Sequence, residues 1–392
     1  MSDKAEEVDY NENLRTNYAK SCKVLGVKEN ESVTKAINPE GDATAPIVVI
    51  ATETILGPSG VRALAAGILA RGAGHKSPGY KHVKALRLYK SDARDSGCAA
   101  IAEVLKNGAR DKIELELVEL MDAGITSAGC VSLGESLMLG ANASLRTLRL
   151  DLNPGIGDEG VAHLCRGLRS NRNLKVLTLS HCGLTYTAAE ILSKDWLASF
   201  LCTAEAIDLS GNKLGAEGLT LLSTAALKSK TLKELILVDN AIGGSFLETR
   251  NEMTKGNNIV GGGSGSGHGH GEKVDGGISN KENGSDDFEG SVQAGEMAEK
   301  VALSIVTTAK ATAIALHALG TALNSAECAL SRVSLEMNAL TPADASILIP
   351  YCSPENKKLE MLKVDATLPP EIFASLWRNP PPPKAGKKKG KK

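Results

Sequence analysis

The sequence predicts an α/β solenoid, with short parallel strands on a concave face and helices on a convex one, and three observations carry that fold class. An apolar marker returns at a nearly constant step, the residues around it alternate as in a half-buried strand, and an Ala-, Leu-, Val- and Ile-rich run at helical spacing follows it. Taking the last inward residue of each strand as marker, positions 50, 88, 120, 150, 179, 209, 237, 335 and 364 give nine strands. The steps are 38, 32, 30, 29, 30, 28, 98 and 29. Unrelated βα units would not hold such a period. Composition agrees: 42% hydrophobic but only 3% aromatic side chains, with 40 Gly in 392 residues, describe an aliphatic interior and not an aromatic-lined pocket.

The elements follow in order. Residues 1–45 read as a helical cap with a disordered start, covering the open end of the core as a solenoid requires. Residues 46–243 carry repeats of the form L-x-x-L-x-L-x-x-N/C-x-L. Degenerate strands at Val48/Ile50/Ile55, Leu86/Leu88 and Leu115/Val118/Leu120/Ile125 come first. Four clear ones follow, with Asn153, Cys182, Asn212 and Asn240 at the turn, and Pro154-Gly155 adds a residue to the first of them. Two more stand at Leu330/Val333/Leu335/Asn338/Leu340 and Leu359/Leu362/Val364. Each L-x-L pair points inward to a shared core, while the turn asparagine hydrogen-bonds backbone groups that the turn leaves unpaired. Between strands, Ser96–Leu105, Gly129–Leu139, Glu159–Leu168 and Gly218–Leu227 read as amphipathic helices. Helices are wider than strands, so the stack should curve.

His181-Cys182-Gly183-Leu184-Thr185, Gly160-Val161-Ala162-His163-Leu164-Cys165, and Cys98 and Cys130 ten positions after their markers resemble the ribonuclease-inhibitor type of leucine-rich repeat. The resemblance runs from Pro46 to Leu376 with one interruption and implies the fold; function stays open, because these repeats serve many partners. A second likeness lies in Tyr18-x-x-x-Cys22-x-x-x-Gly26-Val27, Glu31 to Ile37 and Ile47-Val48-Val49-Ile50-Ala51-Thr52. These resemble the helical lead-in of intracellular repeat proteins of centrosomes and cilia, which implies a cytoplasmic chain with the cilium or basal body as a destination.

The step of 98 holds one repeat and a long excess. Residues 244–293 are Gly-rich, as in Gly261-Gly262-Gly263-Ser264-Gly265, and read as a disordered insertion. Residues 294–378 read as a helix and the last repeats. The stretch 379–392 is a tail with Pro380–Pro383, six lysines and no acid, suited to an acidic surface such as tubulin or to nuclear import.

Chemistry is not evident. The eight cysteines form no C-x-x-C, and His268 and His270 are too few for a metal site. No nucleophile and base pair stands out and no phosphate loop appears, so the chain reads as a non-enzyme without cofactor, metal or catalytic residue. A net charge of -1, from 45 basic and 46 acidic side chains, argues against whole-protein binding to nucleic acid or membrane. The tail has no aromatics for reading bases, and Val301 to Leu323, with Lys310 and His317, is a poor membrane span.

Strand alternation instead picks out a concave floor for a protein partner: Arg87, Tyr89, Glu119, Met121, Arg149, Asp151, Asp208, Ile236, Val238, Asp239, Glu336 and Lys363. Asp208 and Asp239 tilt its later half towards a basic partner segment. An alternative comes from Leu237-Val238-Asp239-Asn240-Ala241-Ile242-Gly243, which is similar to a segment of the Ran GTPase activators. That resemblance implies that Asn240 would order a partner GTPase's machinery.

The Gly-rich composition of the insertion gives a first expectation. Deleting Gly256 to Gly290 should leave the melting temperature within a degree or two, about what a surface change of under 0.5 kcal/mol produces in a chain of this size; a large drop in a thermal scan would show that the segment is structured.

Overall fold

The computed structural model describes residues 11–38, 45–71, 79–243 and 306–379. The chain divides into two compact units, 1–243 with 312–392, and 244–311. In the second unit the described part is helical, 306–311, and the Gly-rich stretch, the residues 294–305 and the lysine tail lie outside the described residues.

Nine strands form one parallel sheet in sequence order: β1 Val49–Glu53, β2 Ala85–Tyr89, β3 Leu117–Met121, β4 Thr147–Arg149, β5 Val176–Thr178, β6 Ala206–Asp208, β7 Glu234–Ile236, β8 Arg332–Ser334 and β9 Met361–Lys363. Helices alternate with them: α3 Gly57–Leu69, α4 Arg94–Asp111, α5 Ser127–Leu137, α6 Gly157–Leu168, α7 Tyr186–Leu192 running into a π-helical turn at Ser193–Leu197, and α8 Gly215–Lys228. Helix α9 covers 306–324, followed by the short α10 Pro342–Ser346 and α11 Pro370–Leu376. The four helices expected between strands are present as α4, α5, α6 and α8. The 98-residue step closes in register, Glu234 opposite Arg332 and Leu235 opposite Val333.

Register corrects one marker. Leu88 pairs with Thr52 and Leu86 with Ile50, so the first strand's last inward residue is Thr52. A buried threonine there breaks the leucine pattern that the marker relied on.

Helices α1 (Glu12–Leu25) and α2 (Glu31–Ala36) precede β1. Gly26 ends α1 at φ 65°, with Val27 N–H donating to the Cys22 carbonyl, the left-handed closure that glycine favours. Asn30 caps α2 by accepting from Ser32 and Val33 N–H, while its own N–H donates to the Tyr18 hydroxyl. Tyr18 is buried beside Gly67 of α3, where an added Cβ would meet the Tyr18 backbone at 3.0 Å.

The seven coils from β2 to β8 turn through a left-handed residue two positions past the last inward strand residue, as at Leu152 (φ 62°), His181 (54°), Asp239 (55°) and Met337 (61°). Such turns strand backbone groups inside, and the ladder amides collect them. Asn153 Oδ1 accepts from Ala123 and Ile125 N–H of the preceding coil, and its Nδ2 donates to the Leu120, Leu150 and Asp151 carbonyls. Asn212 repeats this on Cys182, Leu184, Leu179 and Leu209, and Asn338 on Asn240, Ile242, Leu237 and Leu335. Asn240 is different. Its Nδ2 donates to the Leu209 and Val238 carbonyls, but its buried Oδ1 has no partner.

All eight cysteines are buried thiols, and burial pushes Cys130, Cys165 and Cys182 up to about 12, so they are neutral packing groups at ordinary pH. Outside the core, helix starts are clamped between coils. Asp95 accepts from the N–H and hydroxyl of Thr126, and Asp158 from those of Thr185, at 2.6–2.8 Å. At the far end Arg378 returns antiparallel onto β9, exchanging backbone bonds with Leu362.

The unequal ladder predicts unequal costs. Asn153→Ala or Asn212→Ala should lower stability by about 3 kcal/mol, because each strands several buried partners, whereas Asn240→Ala should cost about 1 kcal/mol. Urea midpoints at unchanged m-value measure the difference, and equal losses would contradict it.

Candidate partner-binding face

The parallel register sets one row of side chains across the whole sheet: Ala51, Arg87, Glu119, Arg149, Thr178, Asp208, Ile236, Ser334 and Lys363. They alternate with the buried row from Ile50 to Leu362, so they lie on the face opposite the core, the floor. The strands thereby set Arg87, Glu119, Arg149, Asp208, Ile236 and Lys363 in one row. Tyr89, Met121, Val238 and Glu336 stand two positions further along their strands.

At the start of the floor, Glu119 lies between two guanidinium groups, Arg87 Nε at 3.5 Å and Arg149 Nε at 3.6 Å. A cavity of about 330 Å³ opens beside this zipper, lined by Ala51, Thr52, Glu53, Arg87, Leu88, Tyr89, Glu119 and Met121. Lys90 Nζ sits 4.8 Å from the Tyr89 ring centroid, and its charge over the π face holds that ring. Ala51 and Glu53 were missed because the floor read from sequence began at the second strand; the alternation of Val49, Ala51 and Glu53 was the available signal.

Two expected residues are committed internally. Asp151 is only 8% exposed, its carboxylate accepting from the Thr178 hydroxyl at 2.7 Å and from Ser180 N–H at 2.7 Å. Asn240 is fully buried in the ladder. The floor's rim also holds His181, exposed, with its ring against the Gly211 backbone: a Cβ on Gly211 would fall 2.1 Å from the imidazole.

Charges are handled differently at the strand entrances and on the later floor. Along the entrances, Lys84 pairs with Glu114 at 2.8 Å, Glu205 with Lys175 at 2.6 Å and Lys233 at 2.9 Å, and Arg332 with Glu234 at 3.1 Å. The two ammonium groups, Lys175 foremost, hold the Glu205 carboxyl down at about 2. On the later floor Asp208 accepts from the N–H and hydroxyl of Ser210. Asp365 accepts from Met337 N–H. Among the described residues no three His, Cys, Asp or Glu converge as a metal site needs, and no helix is long and apolar enough to cross a membrane.

A family model described as Leucine Rich repeat matches residues 141–165, 170–193 and 205–223, the coils carrying Asn153, Cys182 and Asn212. Ribonuclease inhibitor of Sus scrofa is 35% identical over 147 residues, covering 37% of this chain and 30% of that protein. This is a leucine-rich-repeat protein of the ribonuclease-inhibitor-like type. Ribonuclease inhibitor of Mus musculus is 31% identical over 160 residues, 40% of this chain and 33% of that one. The human NACHT, LRR and PYD domains-containing protein 5 is 28% identical over 206 residues, 45% of this chain and 17% of that protein. The chain therefore spans a third or less of the length of these curated relatives. In this leucine-rich-repeat protein the matched coils lie in the middle of the stack, with the other coils flanking them.

The depressed Glu205 carboxyl carries a pH signature. Its folded value lies below the ordinary carboxylate value of about 4.3, so its contribution is complete above that pH and disappears as pH falls towards 2. Glu205→Gln should cost under about 1 kcal/mol at pH 7, because the pair is solvent-accessible. The gap between wild type and variant urea midpoints should hold from pH 7 to about 5 and close between about 4.5 and 2; a gap that widens in acid would contradict the assignment.

Proposed function

We propose that this leucine-rich-repeat protein is a non-catalytic scaffold that captures a protein partner on its floor. The observation that carries the reading is the single cross-strand row, which presents charged, polar and apolar side chains at a fixed spacing of about 4.8 Å, beside the Tyr89 and Met121 cavity. A rigid row costs little to order on binding. An aromatic and a thioether side by side make an anchor of the kind that dominates protein interfaces. The name of the Sus scrofa relative, an inhibitor of a ribonuclease, supports a protein as the bound object.

Arg87, Glu119, Arg149, Asp208, Ile236, Val238, Asp239, Glu336 and Lys363 form the contact face in this reading, and Asp151 shapes it from within. The partner contributes a basic segment to the later half. The helical lead-in at Tyr18, Cys22 and Gly26 supports a cytoplasmic address and association with the cilium or cytoskeleton, and the lysine tail suits an acidic surface such as tubulin. Imaging the tagged chain at the basal body, nucleus or bulk cytosol tests the address.

Reversing charge at Arg149, Asp208 and Glu336 together, with Tyr89→Ala as a separate variant, tests the face. Each should weaken partners pulled down by the wild-type chain by roughly tenfold or more, a loss of about 1.4 kcal/mol. If every partner stays bound to both folded variants, the floor is not the site.

A further inference from the structure

We infer that the later half of the floor, β6 to β9, is a docking surface for the chain's own lysine run, Lys384 to Lys392. The inference rests on the reading that this half takes a basic segment, and it names the one tethered beside it.

The surface has an uncompensated charge. By strand alternation Asp208, Glu336 and Asp365, with Asp239 at the adjoining turn, lie on it beside Lys363, while Arg332 on the same face is already paired with Glu234 and Glu360. Glu114, Glu205 and Glu234 at the strand entrances are all ion-paired. Among the described residues none of the four floor acids is in an ion pair. Asp208 and Asp365 accept only from neutral donors, and Glu336 Oε2 is out of solvent with no hydrogen-bond partner. The acids are contiguous, because Asp239 N–H donates to the Glu336 carbonyl at 3.0 Å and Met337 N–H to Asp365 Oδ1 at 2.6 Å. Between them lie Ile236 and Val238, half-buried, and Met337, which is 65% exposed. Lysine suits such a mixture: its methylenes lie on apolar surface while its ammonium reaches a carboxylate.

The tail is within reach. Arg378 pairs with Leu362, which puts the last described residues beside β9. From there β6 is three strands away, about 14 Å, and Asp365 is three residues along β9, about 10 Å. Lys384 stands five residues beyond Asn379 and can extend about 17 Å, and Lys392 about 43 Å. All six lysines can therefore sample the patch, and the run contains no acid to repel it. A tether of this length gives an effective concentration in the millimolar range, so an incoming basic segment must displace the tail.

Zero-length carbodiimide coupling of the dilute full chain, mapped by mass spectrometry, tests the docking. Lysines 384 to 392 should couple mainly to Asp239, Glu336 and Asp365 within one chain, and coupling should fall steeply in about 1 M salt, where the screening length is about 3 Å. A spread over the exposed helix acids Glu103 and Glu217 equal to that on the floor would overturn the inference, as would coupling found only between isotopically distinct chains. Amine acylation gives a second readout that does not depend on those carboxylates as coupling partners. The tail lysines of the full chain should react about two- to tenfold faster in the folded Asp239→Asn/Glu336→Gln variant, as removal of one or two exposed pairs implies, and an unchanged rate would also overturn it. Either failure leaves the partner reading standing, since that depends on the pull-down comparison alone.

Discussion

The regular coils of this solenoid depend on a buried amide, at Asn153, Asn212, Asn240 and Asn338, that closes the turn against its neighbour. A parallel strand of three residues cannot return to its helix without leaving N–H and C=O groups facing an aliphatic core, where each unmade bond costs about 1–3 kcal/mol. One asparagine settles up to five of them, reaching into its own coil and the one before. Where the ladder holds Cys182, the thiol can donate to the Leu150 carbonyl but is a poor acceptor. The coil before it is also the one lengthened by Pro154-Gly155, and there Ile156 N–H is taken up by the Asn153 carbonyl within the turn. Loss of the acceptor and the extra turn residue go together.

Because turns and core settle the backbone internally, the two sides of the strands are free to differ. Ion pairs join neighbouring coils at the entrances, as with Glu205 between Lys175 and Lys233. On the floor only the Arg87, Glu119 and Arg149 zipper repeats that pattern, and from β6 onward the acids have no basic neighbour within ion-pair distance among the described residues. The structure thus separates charges that hold coils together from charges left to meet something else.

The period made the fold legible. Spacing alone located nine strands and the helices between them, since a shared core requires the same inward pair in every coil. It failed at β1, where Thr52 holds an inward position usually given to leucine and only pairing with Leu88 reveals it. The floor was legible as a face but not as a site. Alternation says that Asp151 points away from the core, yet Thr178 and Ser180 on the next coil take its carboxylate, a contact set by cross-strand distance that no single repeat encodes. Asn240 shows the same limit from the other side, since a short motif resembling a functional segment coincides with a position the ladder already claims.

The long interruption after Leu237 tests how far nearest-neighbour stacking goes. A globular core would be split by it, but in a solenoid each coil needs only the next one, and loop-closure cost rises slowly with length. What must be preserved is the register, and β7 meets β8 at Glu234 and Arg332 as though no residues intervened. The join is reinforced on the helical side. Cys328 Sγ donates to the Ala226 carbonyl of α8, and Thr312 Oγ1 of α9 donates to the Ile242 carbonyl. Lys358 Nζ then donates to the Ala322, Ser325 and Cys328 carbonyls, placing a cation where α9 ends and its carbonyls lack partners. The returning chain is thus fixed to the coil before it and the coil after it by groups that point at backbone atoms, which is why the resumed repeats can diverge in sequence without losing their place in the stack.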